Sequence, residues 1–179
     1  YRYYERMRKN ILFPFGYGLS YTEFRYDNLR TDKQEILDSD RLQVFVDVEN
    51  IGDCEGKEVV QLYIQPPEHE IISPVRELKA FTKTDLKSHE KTTIVFEIDK
   101  EAFAYWDTKI HDWNVESGRY KIQICKNAAE VLLQTEVYVK SSQKKQPKFT
   151  INTPIGEIMK YEKNRVVIND FIMELFGTE

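Results

Sequence analysis

The chain has 179 residues, room for one well-packed domain plus an appendage but short for two full domains. Its 26 basic and 30 acidic residues leave a formal net charge of −4. That balance offers no polybasic footprint for nucleic acid, and no stretch is apolar for long enough to span a membrane. Two cysteines, Cys54 and Cys125, make no disulfide framework, and His69, His89 and His111 are too scattered for metal-ligand spacing. Neither a metal nor a cofactor is therefore expected. The sequence opens at Tyr1 inside a charged, aromatic stretch (YRYYERMRK), which reads as the interior of a longer polypeptide. The compartment stays open: unpaired cysteines slightly favour the cytoplasm, with secreted or periplasmic placement also allowed.

Residues 1–22 are aromatic and carry glycines without a settled period. From residue 23 the texture changes to short alternating runs. A strand is expected over 24–29, and then Leu42, Val44, Val46 and Val48 alternate with polar partners up to a turn at Asn50-Ile51-Gly52-Asp53. Val60, Leu62 and Ile64 form the next run, which stops at Pro66-Pro67 because proline cannot donate to a ladder. A strand over 75–82 follows, then Ile94, Phe96 and Ile98, then Tyr120, Ile122 and Ile124, and lastly Val131, Leu133, Val137 and Val139. About seven one-faced strands in series predict an all-β sandwich of the immunoglobulin or fibronectin type III kind.

The tail is of another kind. Residues 141–148 (SSQKKQPK) read as a polar linker, and residues 149–179 as a helical extension. Thr153-Pro154 predicts a helix start, and Ile168, Phe171, Ile172, Leu175 and Phe176 make an apolar stripe at helical spacing that ends at Gly177. A helix this short is marginal in water, so the stripe is expected to pack on something.

Four motifs carry a resemblance. FPFGYGLSYTEFRY at 13–26 resembles the junction before the C-terminal fibronectin type III-like domain of glycoside hydrolase family 3 enzymes, matching at Phe15, Gly16, Gly18, Leu19, Ser20, Tyr21 and Thr22. VENIGDCEGKEVVQLYI at 48–64, SPVRELKAF at 73–81 and WNVESGRYKIQI at 113–124 are similar to that domain's successive strands. The tail TINTPIGEIM at 150–159 is similar to an extension of bacterial β-glucosidase-like members. Ser73, Ala80 and Cys125 depart from the family pattern, the last two where glycine is common, so the backbone there should not need positive φ.

The resemblance implies a division into 1–22 (end of a preceding α/β sandwich domain and junction), 23–140 (fibronectin type III-like domain), 141–148 (linker) and 149–179 (helical extension). It implies a parent β-glucosidase that hydrolyses O-glycosyl bonds with two carboxyl groups roughly 5 Å apart. Both catalytic positions precede this segment in the family's domain order, so no catalytic residue is assigned and the chain alone is expected to be inactive. Its implied partners are the catalytic domains of the same polypeptide and, through them, a β-glycoside. The aromatics of residues 1–9, detached from that domain, are expected to lose their partners.

Two alternatives stay open, a carbohydrate-binding module and a fibronectin-like interaction domain. Trp106 and Trp113, with Tyr105, have the composition of a sugar platform, although core packing is the expected role, above all for Trp113. Asp107, Asp112 and Glu116 beside them read as solvated loop residues, and Asp47 and Glu49 as the outward face of a strand. The loop over 66–74 is the expected route to a substrate-cleft rim.

Overall fold

The computed structural model describes residues 1–68, 73–108, 111–142 and 149–177. They fall into two compact units, one of residues 1–106 and 113–144, the other of 107–112 and 145–179. The chain runs through α1 (Arg2–Arg6), β1 (Phe24–Thr31), β2 (Glu35–Leu37), β3 (Leu42–Asn50), β4 (Gly56–Gln65), β5 (Glu77–Leu86) and β6 (Lys91–Ile98). It continues through α2 (Lys100–Phe103), β7 (Tyr105–Asp107), β8 (Asp112–Asn114), β9 (Gly118–Asn127), β10 (Glu130–Lys140), α3 (Ile155–Ile158) and α4 (Glu162–Phe176).

Strands β1, β3 and β6 form one sheet in that order, and β2-β10-β9-β4-β5 form the other, with β7 and β8 a separate pair. The long ladders are antiparallel, while β2 lies parallel to β10. All seven expected strands are present as β1, β3, β4, β5, β6, β9 and β10. The additional β2, β7 and β8 have three residues each, too few for a period of two to show.

The core lies between the sheets. Leu42, Val44, Val46 and Val48 of β3, Val60, Leu62 and Ile64 of β4, and Tyr120, Ile122 and Ile124 of β9 are buried in one cluster with Phe96, Ile98, Val137 and Val139. Each aliphatic side chain removed from water in this way contributes about 1.5–3 kcal/mol. Ala80 and Cys125 avoid the left-handed region, which among non-glycine described residues is entered at Arg8, Asn28, His89 and His111. Cys54 is exposed, Cys125 is buried, and both are free thiols.

In the second unit, α3 begins one residue later than Thr153-Pro154 suggests. Pro154 is the cap, and the Thr153 hydroxyl accepts from the Thr150 amide instead. Gly177 closes α4 at φ +50°, its N–H donating to Met173. Within the stripe Phe171 and Ile172 are exposed. Residues 143–148 of the expected linker lie outside the described residues.

One outward residue departs from expectation. Asp47 is buried rather than solvated, because its neighbours on both flanking strands close over it. Asn28 of β1 donates to Oδ2 at 2.8 Å, Thr93 of β6 to Oδ1 at 2.7 Å, and Lys91 Nζ stands 3.1 Å from Oδ2. Asn28 reaches it from a bulge in β1, at φ +53°, a conformation that asparagine tolerates. One carboxylate thus ties three strands. Glu49, two residues on, pairs with Arg25 at 2.7 Å.

Hydrogen bonds from Asn28, Thr93 and Lys91 lower the Asp47 pKa to about 2, against a small opposing effect of burial. A carboxylate whose folded pKa lies below its unfolded value, about 3.9, stabilises the fold above that value and loses this contribution as pH falls through the folded pKa. Asp47→Asn should therefore cost about 1–3 kcal/mol at pH 7. In denaturant titrations, its deficit against the parent should shrink between about pH 4 and pH 2; a deficit that does not change with pH contradicts the assignment.

Candidate functional site

The outer face of a sandwich sheet normally alternates polar residues into water. In β4 that rule fails, since Val60, Gln61, Leu62, Tyr63 and Ile64 are all buried. The cover comes from residues 1–22, which lie over the outer face of β4, β5 and β9. Tyr63, Cys125 and Ala128 form a second small core there, against Tyr1 and Leu78. The Tyr1 ring stacks on Phe15 at 5.4 Å and meets Tyr63 edge-on at 5.9 Å. Its hydroxyl accepts from the Leu78 amide at 2.9 Å. Tyr1 therefore has partners within the chain, contrary to expectation, whereas Tyr3, Tyr4 and Met7 are exposed.

Charged groups secure the same helix. Arg76 Nε donates to Glu5 Oε1 at 2.5 Å, and Arg76 also reaches the Gln123 side-chain oxygen at 3.3 Å. Arg2 pairs with Glu77 at 3.1 Å, and Arg6 donates to the Ser73 carbonyl. Burial pushes the Cys125 thiol up to about 11 although Arg76 pulls the other way, which leaves it a protonated packing residue at neutral pH.

The junction motif is held at two points. At the first, Gly16 adopts φ +80°, and a Cβ there would lie 2.4 Å from the Gln61 side-chain oxygen. Gln61 donates to the carbonyls of Gly16 (3.4 Å) and Lys126 (3.0 Å) and accepts from the Tyr63 hydroxyl at 3.1 Å. The Phe15 carbonyl accepts from Ala128 at 2.8 Å. At the second, the Thr22 hydroxyl donates to Asn50 Oδ1 at 2.6 Å. Thr22 lies so close to Gly52 and Gly56 that an added Cβ would meet it at 2.2 and 2.5 Å. Only glycine leaves room for the threonine.

Between these points the strap stands away from the sheet over a groove of about 820 Å³, whose lining includes Tyr17, Leu19, Tyr26, Glu58, Phe81 and Lys126. Tyr26 donates to Glu58 Oε1 at 2.6 Å. Burial raises the Glu58 pKa, with Tyr26 and Lys126 pulling it back, and burial with the Glu58 contact raises that of Tyr26.

The sequence-marked tryptophans stand on the β7–β8 pair. Trp106 and Trp113 meet edge to face at 5.8 Å and are 51% and 55% exposed. Trp113 is therefore not a core residue. Asn114 takes the inward position of β8 and donates to the Tyr105 hydroxyl at 2.8 Å, which turns its neighbour outward. Nor are the nearby acids all solvated: Asp107 is buried, Asp112 is exposed, and half-buried Glu116 accepts from the Tyr105 hydroxyl at 2.8 Å. Residues 69–72 of the expected rim loop lie outside the described residues.

Sequence reasoning missed the strap and its clamps. Their signal was present in the motifs themselves, where Gln61 and Tyr63 occupy the outward phase of an otherwise apolar strand and glycines flank the turn after Asn50.

Comparison with known proteins places these features. Residues 58–128 match the model of the fibronectin type III-like domain. Thermostable beta-glucosidase B of Acetivibrio thermocellus is 39% identical over 175 residues, 98% of this chain and 23% of that protein. Exo-alpha-(1->6)-L-arabinopyranosidase of Bifidobacterium breve is 37% identical over 147 residues, 82% of this chain and 19% of that protein. The crystal structure of the Bifidobacterium adolescentis GH3 beta-glucosidase superposes with a TM-score of 0.79 at 32% identity, covering 94% of this chain and 24% of that one. The chain thus spans about a quarter or less of the length of these relatives. With its sandwich, its clamped junction and its helical tail, it belongs to glycoside hydrolase family 3, as the C-terminal region that carries the fibronectin type III-like domain.

Proposed function

We propose that this chain is the non-catalytic accessory domain of a β-glucosidase that hydrolyses O-glycosyl bonds in carbohydrate metabolism. Its task is to fasten the sandwich to the catalytic domains of the same polypeptide through residues 1–22. The observation that carries this reading is the convergence of three family-like motifs on one segment. Gln61 and Asn50 from the second motif grip Gly16 and Thr22 of the first, while Arg76 from the third grips Glu5. So held, the segment presents Leu12, Phe13, Leu19 and Tyr21 to the outside, at 92%, 70%, 90% and 103% exposure. A row of exposed apolar side chains on a fixed backbone suits a partner domain. In that role the β-glycoside is met through the catalytic partner.

A second role is favoured by the tryptophan pair, about half exposed: Trp106 and Trp113 would touch carbohydrate. This adds a contact and does not replace the accessory role.

The purified 179-residue chain should hydrolyse no aryl β-glucoside, and measurable turnover would overturn the assignment. Gly16→Ala should cost about 1–2 kcal/mol from the left-handed backbone alone. In limited proteolysis it should open cleavage within residues 1–22 while the sandwich stays resistant; an unchanged cleavage pattern would count against the clamp. Trp113→Ala should change stability by less than about 1 kcal/mol, against about 3–5 for a core aromatic. The same substitution should abolish the fluorescence response to cello-oligosaccharides that the parent chain is expected to show, and a parent without such a response excludes the sugar contact.

A further inference from the structure

Residues 1–22 differ in charge from the rest of the chain. They hold four cations, Arg2, Arg6, Arg8 and Lys9, against the single acid Glu5, in a protein whose net charge is −4. Three of these five groups are engaged within the chain, Arg2 by Glu77, Arg6 by the Ser73 carbonyl and Glu5 by Arg76. Arg8 and Lys9 are exposed and have no carboxylate partner among the described residues. Their backbone is nonetheless fixed. Arg8 turns the chain at φ +49°, its N–H donating to the Glu5 carbonyl at 3.1 Å, and the Lys9 N–H donates to the Tyr4 carbonyl at 3.0 Å. Lys9 Nζ stands 5.2 Å from the centre of the Tyr3 ring.

Exposed apolar and aromatic side chains flank the two cations along the chain, Tyr3, Tyr4 and Met7 before them and Ile11, Leu12 and Phe13 after. A surface that takes both flanks out of water also dehydrates the cations between them. An ammonium or guanidinium removed from water without a counter-charge is strongly unfavourable. We infer that the face of the catalytic domains covering this segment is apolar with carboxylates set into it, opposite Arg8 and Lys9. The inference rests on the accessory role proposed above and adds the chemistry of its partner. Arg8 has the planar fork that engages both oxygens of one carboxylate, whereas Lys9 offers a compact charge. On its inward side α1 is already held by such a pair, Arg76 with Glu5. Two free cations are too few for an anionic membrane, where recognition takes clusters of about four to eight. They are also too few for the phosphate track of a nucleic acid.

Hydrogen exchange at the Leu12 and Leu19 amides tests this in the full-length polypeptide that contains the region. Exchange there should be slower by about tenfold or more than in the 179-residue chain. In the full-length polypeptide, Arg8→Glu combined with Lys9→Glu should speed it by about tenfold or more, because like charges then face each other. The same double change should leave the melting temperature of the 179-residue chain unaltered, since neither cation has a carboxylate partner there. Phe13→Asp, which attacks the apolar part alone, is the reference. If Phe13→Asp speeds exchange and the charge reversal does not, the acidic partner face is overturned while the accessory role stands. If Leu12 and Leu19 exchange equally fast in both polypeptides, the segment is uncovered and both readings fall. Protection that vanishes on dilution would assign the cover to a second copy and overturn the proposal. So would a lower melting temperature of the charge-reversed 179-residue chain.

Discussion

A buried primary amide has two N–H donors and an oxygen with two lone pairs, and every one left unpaired costs about 1–3 kcal/mol. Asn50, fully buried at the end of β3, uses them all. Its nitrogen donates to the carbonyls of Cys54 at 2.7 Å and Leu86 at 3.1 Å, and its oxygen accepts from Thr22 at 2.6 Å and the Gly52 amide at 3.1 Å. These bonds set the turn from β3 to β4, the end of β5 and the position of the segment before β1. Ile51 adds a backbone bond to Glu23 at 2.8 Å. The glycines at 52 and 56 follow from this arrangement, since Thr22 fills the space that their side chains would need.

Gln61 repeats the device on β4, the next strand in the chain and part of the opposite sheet. The two amides fix the strap at Gly16 and at Thr22, and the stretch between them spans a groove instead of collapsing on the sheet. This explains why the five-stranded sheet lacks a solvated outer face over β4 and β9. Its inner face obeys the period of two because both sheets bury apolar residues there. Its outer face is a binding surface already occupied by the chain's own first residues. In the accessory role proposed above, this covered side is the one that would attach to the catalytic domains.

The seven long strands were legible because one buried face imposes alternation on every residue of a run. Three-residue strands leave no such trace, and neither does burial imposed from far away in sequence. Asp47 reads as solvated until Asn28, Thr93 and Lys91 are seen to surround it. Trp113 reads as core because it stands at the start of a recognised strand entry, yet β8 gives its inward position to Asn114. The motifs were legible as family likeness, but their shared purpose was not. The contacts of Gln61 with Gly16 and of Arg76 with Glu5 span 45 and 71 residues, and no local pattern encodes them.

The account turns on whether residues 1–22 are part of the folded sandwich side. Hydrogen exchange of the Leu78 and Ala128 amides reads this directly, because their acceptors are the Tyr1 hydroxyl and the Phe15 carbonyl. The measurement compares the intact chain with one lacking residues 1–22, using the amides of β3 as an internal reference. The account predicts slow exchange at Leu78 and Ala128 in the intact chain and a loss of protection of tenfold or more, about 1.4 kcal/mol, in the shortened one. Equal exchange at both amides in the two chains, with β3 protected in each, would contradict it.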